Sequence, residues 1–161
     1  MIALVRVDNR LIHGQVVSTW IPHLKADRVV VVDEEAADSP LIRAAMSMAV
    51  PPHLEVDILR PSEVEWGELS QPDDRVLVLV RDVDQAESAL RAGAPVRDLN
   101  LGNIHFREGR RPVSPSVFLS DEELETLDRI AASGVEVEAR AVPSDHGVGL
   151  DELRDRLRAG T

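Results

Sequence analysis

Short runs of consecutive apolar residues recur along the chain, separated by longer segments in which apolar residues follow helical spacing. The run at 29–32 is all valine, and the run at 76–80 alternates valine and leucine. A strand that is apolar on both faces is buried on both faces, which is typical of a parallel sheet covered by helices. The pattern predicts seven strands, at 2–7, 28–33, 54–59, 75–80, 98–102, 116–119 and 135–141.

The segments between these strands carry helix start signals. Helices are predicted to open at Ser39-Pro40, at Pro61-Ser62, at Asp82 or Asp84, at the capping box 120–123, and at about 149 for a last helix ending near 158. Four of these helices have a predicted apolar face, which is listed here by helix start: Leu41, Ala44, Ala45 and Met48 after Ser39-Pro40; Ala86, Ala89 and Leu90 after Asp82 or Asp84; Leu124, Leu127 and Ile130 after the capping box; and Leu150, Leu153 and Leu157 in the last helix. Loops are predicted at 51–52, 93–95 and 109–115.

This alternation predicts an α/β fold, a doubly wound, mostly parallel sheet of about six to seven strands with helices on both faces. We expect one domain over 1–161, since no linker or repeat interrupts the chain. In such sheets ligands bind outside the carboxyl ends of the strands, where the strand order switches direction. The first predicted strand ends at Val7, so the residues that follow it are the first place to look for chemistry.

Composition narrows the function classes. The 161 residues carry a net charge of −11, which argues against a nucleic-acid partner or an anionic membrane surface. The chain has no cysteine, which excludes disulfides, thiolate metal sites and a cysteine nucleophile. No apolar run is long enough for direct membrane insertion. Residues 1–5 lack a basic leader, so we expect a cytoplasmic protein.

The first strand is followed by Asp8-Asn9-Arg10-Leu11-Ile12-His13-Gly14-Gln15 and then by a helix through Val16, Val17, Trp20 and Ile21, which Pro22 ends or kinks. His13 therefore lies at a helix N-terminus, where unpaired N–H groups and the helix dipole stabilise an anion. A neutral imidazole there can attack phosphorus. From spacing alone, a histidine that only caps or packs at the junction fits as well.

Other residues of this segment suit phosphate chemistry. Arg10 and Arg6 could neutralise charge on phosphoryl oxygens, and Gly14 removes side-chain bulk beside the nucleophile. Asp8 could hold the unreactive ring nitrogen of His13 or brace Arg10. We therefore take His13, Arg10 and Asp8 as candidate catalytic residues, and Arg6, Gly14 and Gln15 as candidate phosphate-binding residues.

The stretch from Arg6 to Val16 resembles the opening of the mannose/fructose/sorbose family of phosphotransferase system (PTS) enzyme IIB subunits. The similarity continues in order through 27–35, 48–52, 100–110 and 134–143. The resemblance implies that His13 accepts a phosphoryl group, at Nδ1, from a phosphohistidine of enzyme IIA and passes it to a sugar held by the membrane subunits IIC and IID. It implies no metal and no nucleotide cofactor, and it places the loop with Gly102, Asn103, His105 and Arg107 near the active site.

Two positions depart from the pattern of that family. Asn9 stands where an aspartate is common, which removes a charge near the phosphate. Arg81-Asp82-Val83-Asp84 replaces a neutral turn, so we expect Asp82 to repel a phosphoryl group on His13 unless Arg81 or Arg10 pairs with it. Of the remaining histidines, His23 and His53 are predicted to be surface residues, and His146 is predicted to lie in a turn near the C-terminus.

Two other functions stay open at this point. The first is a regulatory module of the same fold, phosphorylated at His13 but not coupled to sugar transport. The second is a nucleotide- or phosphosugar-binding domain, which the lack of a G-x-G-x-x-G loop after the first strand disfavours. The sequence names neither the sugar nor the oligomeric state, so a homo-oligomer is also left open.

Overall fold

The computed structural model describes residues 1–160 and contains a seven-stranded sheet in the order β3-β2-β4-β1-β5-β8-β9. All neighbouring strands in it run parallel except β9, which is antiparallel to β8. The strands are β1 (Ile2–Asp8), β2 (Arg28–Val32), β3 (Glu55–Leu59), β4 (Val76–Val80), β5 (Asp98–Asn103), β8 (Glu136–Ala139) and β9 (Val148–Gly149). A separate antiparallel hairpin consists of β6 (Arg111–Ser114) and β7 (Val117–Leu119).

Seven α-helices connect these strands: α1 (Ile21–Leu24), α2 (Glu34–Asp38), α3 (Pro40–Ala49), α4 (Trp66–Leu69), α5 (Val83–Arg91), α6 (Asp121–Ala132) and α7 (Leu150–Ala159). A π-helical turn, Val16–Trp20, precedes α1, and a 3₁₀ turn, Pro61–Glu63, precedes α4. Within residues 1–160 no helix is long and apolar enough to cross a membrane.

Two hydrophobic clusters pack on opposite faces of the sheet. The larger one joins α4, α5, α6 and α7 to one face, and it includes the fully buried Val78 and Leu127. The smaller one joins the segment 11–21 and α2 to the other face over β2, β3 and β4. On that second face β5 and β8 carry Asp98 and Glu136, which are exposed. Helices therefore cover both faces, but the second face only in part.

The fold prediction is confirmed in class and in most elements. Ser39, Asp82 and Ser120 cap α3, α5 and α6 with their side chains, and Ser120 forms the predicted capping box with Glu123. Continuous apolar runs located β2 and β4 because those strands are buried on both faces.

Two element predictions were wrong, and one short strand was not predicted. The segment 109–115, predicted as a loop, contains β6, which pairs with the predicted strand at 116–119 outside the main sheet. The last helix begins at Leu150, within one residue of its predicted start, but the unpredicted strand β9 at residues 148–149 precedes it. The helix predicted from Pro61 is only a 3₁₀ turn and the four-residue α4.

Pro22 does not end the first helix, which was one of the two predicted effects. A proline inside a helix lacks an N–H and clashes with the carbonyl four residues earlier. Here the turn before it is π-helical, and the N–H of Ile21 donates to the carbonyl of Val16 five residues back. This wider turn accommodates Pro22, and the helix continues to Leu24.

Candidate functional site

The carboxyl ends of β1 and β5 meet beside the loop that follows β1. The backbone N–H of Asn9 donates to the carbonyl of Asn103 at 3.0 Å, and the side-chain amide of Asn103 donates to that of Asn9. The loop predicted to carry chemistry and the glycine-containing loop after β5 are therefore neighbours, because their parent strands are adjacent and parallel.

The Asp8 carboxylate is the centre of the site. It is fully buried at the end of β1. Its Oδ2 accepts hydrogen bonds from Nη2 of Arg6 at 3.0 Å and from Nε2 of His13 at 2.8 Å. Its Oδ1 accepts from the backbone N–H of Arg10 at 3.0 Å and more weakly from Nε of Arg10 at 3.4 Å. Asp8 therefore holds Nε2 of His13 and positions Arg10 at the same time.

Burial alone would raise the pKa of the Asp8 carboxyl. The hydrogen bond from His13 and the positive charge of Arg6 outweigh this effect, so the pKa lies below its usual value. Asp8 is thus an anion that can only accept hydrogen bonds, and Nε2 of His13 must donate to it. In the neutral ring this tautomer leaves the lone pair on Nδ1.

Arg6 lies beneath Asp8 and is completely buried. Its guanidinium donates to Oδ1 of Asn100 at 2.6 Å and to the carbonyl of Arg140 at 3.1 Å, and its Cζ lies 5.1 Å from the ring centroid of Trp20. Burial lowers the pKa of Arg6, and the adjacent Asp8 charge opposes that shift. The side chain of Arg6 therefore faces the interior, where it supports Asp8, and its predicted binding of phosphate stays a prediction.

His13 stands at the start of the helix. The N–H of Val17 donates to the carbonyl of His13 at 3.1 Å as the first helical hydrogen bond. The backbone N–H groups before Val17 in the first turn therefore have no partner within the helix. The His13 side chain is 16% exposed. Two residues earlier Leu11 is buried with a φ of 58°, a left-handed conformation that costs about 1–3 kcal/mol for a non-glycine residue.

Arg10 and Gln15 form the exposed side of the site. The Arg10 side chain is 43% exposed, and its Nη2 reaches Oε1 of Gln15 only at 3.4 Å. These long contacts leave the guanidinium able to turn toward an anion bound at His13. A Cβ added to Gly14 would meet no atom within 4 Å, so crowding does not require glycine there. Between Asp8 and Asp27 the sequence has no acidic residue.

The sequence did not identify a second brace on this loop. Arg81 at the end of β4 grips Asp33 at the end of β2 with two hydrogen bonds, at 2.9 and 2.7 Å. Its third arm donates to the carbonyl of Asn9 at 3.3 Å. Asp33 also caps α2 through the N–H of Ala36. The ion pair thus ties β2, β4 and the loop after β1 together.

The expected pairing of Asp82 is corrected by the same contacts. Arg81 is committed to Asp33, and Arg10 to Asp8. The Asp82 carboxylate accepts from the N–H of Gln85 at 2.8 Å as the cap of α5. It lines a cleft of about 310 Å³ formed with the loop 107–110 and the start of α6. It therefore faces that cleft, and its charge contributes, after those of Asp33 and Glu35, to raising the pKa of the Arg81 guanidinium.

The loop after β5 is divided between structural and exposed residues. Gly102 is buried, and a Cβ added to it would lie 1.9 Å from Cζ of Arg6, so the glycine makes room for the guanidinium. Asn103 holds Asn9, as described above. His105 and Arg107 are exposed, and their carbonyls accept from Arg110, which binds Glu123 at 2.7 Å. The structure joins the first two residues to the His13 loop, and leaves the other two at the surface.

Several supporting residues were missed in the sequence. Asn100 is 4% exposed and binds Arg6, and Trp20 covers Arg6 while its indole N–H donates to the carbonyl of Ala141 at 2.9 Å. The one available signal was a polar Asn100 between the apolar Leu99 and Leu101. His23 and His53 are exposed, as predicted, and His146 is exposed as well. Residues 1–160 contain no group of three or more metal-binding side chains positioned to hold an ion.

Comparison with known proteins identifies the family that this chain matches. A family model described as PTS system sorbose subfamily IIB component matches residues 2–159. The N-acetylgalactosamine-specific phosphotransferase enzyme IIB component 1 of Escherichia coli (strain K12) is 30% identical over 147 residues, covering 89% of this chain and 92% of that protein.

Two further comparisons bear on size and fold. The PTS system mannose-specific EIIAB component of Escherichia coli (strain K12) is 27% identical over 160 residues, or 98% of this chain, but the chain spans only 49% of that relative. The crystal structure of the IIBSor domain of the sorbose permease from Klebsiella pneumoniae superposes with a TM-score of 0.87 at 26% identity, over 96% of both chains.

The contact between Gly102 and Arg6 predicts a large difference between two glycine substitutions. Gly102→Ala must displace the Arg6 guanidinium and break its buried ion pair with Asp8, which costs about 3–5 kcal/mol. Gly14→Ala meets open space and should change the free energy of unfolding by less than about 1 kcal/mol. Urea unfolding of both variants measures the difference. Equal stability of the two would show that Arg6 moves without consequence.

The lowered pKa of Asp8 predicts how stability changes with pH. Because the folded pKa lies below the unfolded value of about 3.9, ionised Asp8 stabilises the fold above that pH, and the contribution is lost as pH falls through the folded pKa. We expect the urea concentration at the unfolding midpoint of the wild type to decrease as the pH drops below about 4. Asp8→Asn should be less stable at neutral pH but should lose less on acidification. An identical acid dependence in both proteins would contradict this assignment.

Proposed function

The chain belongs to the family of PTS system sorbose subfamily IIB components, and we propose that it is a phosphocarrier, a transferase component that acts in the uptake of a sugar. In this role it works in the cytoplasm between two partners. An enzyme IIA subunit donates the phosphoryl group to His13, and a sugar held by IIC and IID membrane subunits receives it. The observation that carries the proposal is the hydrogen bond between His13 and the buried Asp8.

That hydrogen bond supports a specific first step. Nδ1 of His13 attacks the phosphorus of the donor phosphohistidine, so a new N–P bond forms while the donor N–P bond breaks. The donor imidazole leaves with the electron pair of that bond. The Nε2 proton stays on His13, and the Asp8 carboxylate stabilises the positive charge that grows on the ring.

The charges around His13 suit a phosphoryl group. Arg6 and Arg10 contribute two positive charges and Asp8 one negative charge, a local balance of +1. The N–H groups of the first helical turn add partial positive charge. Arg10 has the exposure and the reach to bind phosphoryl oxygens directly, whereas Arg6 acts through Asp8. Phosphoryl transfer depends mainly on such positioning and electrostatics.

In the second step a sugar hydroxyl attacks the phosphorus and breaks the N–P bond. The electron pair of the N–P bond returns to Nδ1, the hydroxyl proton passes to solvent, and His13 returns to its neutral tautomer with Nε2 still donating to Asp8. The chain thus supplies a nucleophile that is also a good leaving group. The proposal names the acceptor only as a sugar, because the relatives named above are specific for different sugars.

The proposal predicts one modified residue. Incubation with a phosphorylated enzyme IIA should add one acid-labile, base-stable phosphoryl group, and His13→Ala should abolish it with little change in melting temperature. His105→Ala, which removes an exposed histidine of the neighbouring loop, should leave it intact. Mass spectrometry at alkaline pH locates the group. Phosphate on any residue other than His13 would contradict the proposal.

Arg10 is predicted to contribute through its forked guanidinium. Arg10→Lys keeps the charge but loses bidentate contact with the phosphoryl oxygens, a loss of roughly 1.5–3 kcal/mol, or about ten- to a hundred-fold in transfer rate. The matched control is Arg91→Lys on the exposed face of α5, which should transfer at the wild-type rate. Rapid-quench measurement of His13 phosphorylation compares them. Unchanged kinetics in Arg10→Lys would assign Arg10 a purely structural role.

A further inference from the structure

Helix α3 lies between β2 and β3 in the chain, yet none of its ten residues is buried. It is attached through the half-buried Ile42 and Met46, and through Arg43, whose Nη1 donates to the carbonyl of Ile58 at 2.8 Å. A helix this short is marginal in water without tertiary packing of an apolar face. The protomer alone therefore gives α3 little of the burial that usually stabilises such a helix.

The outward side of α3 is apolar. Leu41 is 80% exposed and Met48 is 85% exposed, and Ala44 and Ala45 are exposed between them. The sequence predicted these four residues on one face; the structure turns that face to solvent. Isolated apolar residues are ordinary on a protein surface, but this spacing of i, i+3, i+4 and i+7 makes one continuous helix face.

The segment around this face is free of negative charge. Acidic residues make up 29 of the 161 in the chain, yet none lies within 39–54. Two chains that each carry a net charge of −11 repel one another over most approaches. An apolar face on a segment without carboxylates is the surface on which two copies meet with the least repulsion.

We propose that this face pairs with the same face of a second copy, with the two α3 helices antiparallel about a two-fold axis between Ala44 and Ala45. The order large, small, small, large reads the same in both directions. The axis therefore places Leu41 of one protomer against the partner's Met48, and alanines against alanines. Small residues at the centre allow a short distance between helix axes, and a self-complementary patch is what a two-fold dimer requires.

The size of the face sets the expected affinity. Ten helical residues span about 15 Å, and a helix with its side chains is about 10–12 Å wide. The area of the face is therefore smaller than the roughly 800 Å² that each partner buries in a stable interface. We expect a dimer with a dissociation constant of roughly tens to hundreds of micromolar. Sedimentation velocity over a concentration series should show the mass rising toward that of two chains. A mass that stays at one chain at the highest concentration would overturn the proposal.

Cross-linking tests the position of the axis. The chain has no cysteine, so a single introduced thiol reports geometry without background. Ala45→Cys should form a disulfide dimer at least about tenfold faster than Ala132→Cys, an exposed alanine at the end of α6, because a disulfide needs the two Cβ atoms about 4 Å apart. Unchanged melting temperatures check that both reduced variants are folded. Equal rates would overturn the proposed axis.

Charge substitutions test the antiparallel arrangement. Leu41→Lys and Met48→Glu should each weaken association at least about tenfold, because each buries unpaired charges in the interface. The double variant should recover association, since each introduced ammonium then faces a carboxylate of the partner across the two-fold axis. Undiminished association of the single variants, or no recovery in the double variant, would overturn the arrangement. A monomeric protein whose phosphoryl transfer slows on Leu41→Lys would assign the face to a transfer partner instead.

Discussion

The buried carboxylate of Asp8 is the constraint on which the rest of the site depends. A carboxylate without access to water is costly unless its oxygens are fully hydrogen-bonded and its charge is balanced. Here Arg6, His13 and both the backbone and side chain of Arg10 donate to it. Satisfying this one anion fixes the tautomer of the imidazole, the position of the loop and the direction of the exposed arginine.

The solution to that constraint places its own demands on the fold. A buried guanidinium needs acceptors and space, which Asn100, the carbonyl of Arg140 and the absent side chain of Gly102 provide. These contacts lie on β5 and at the end of β8. The centre of the sheet is therefore organised around a polar cluster, whereas residues 29–32 of β2 and all of β4 are apolar and buried. The strained backbone of Leu11 is compatible with this, because its buried side chain anchors the loop.

Electrostatics separates the site from the remainder of an acidic surface. The loop after β1 has no carboxylate other than Asp8, and Asp8 is neutralised from beneath by Arg6. Arg81 and Asp33 neutralise each other beside it, and Asp82 is occupied as a helix cap. An anion that approaches His13 therefore meets Arg10 and a helix N-terminus, while the acidic groups nearby are already paired or face elsewhere.

The sequence by itself determined the α/β class, the buried strands β2 and β4, the caps at Ser39 and Ser120, and the loop that carries His13. These features are local: apolar runs, capping residues and one motif lie within a few positions of each other. Only the tertiary structure decided that Arg6 is an internal brace, that Asn100 and Gly102 serve it, that Arg81 binds Asp33, and that Leu41 and Met48 face outward. Arg6 and Asn100 are separated by 94 positions, and Arg81 and Asp33 by 48. Such pairs meet because of the strand order β2-β4-β1-β5, which local patterns do not encode.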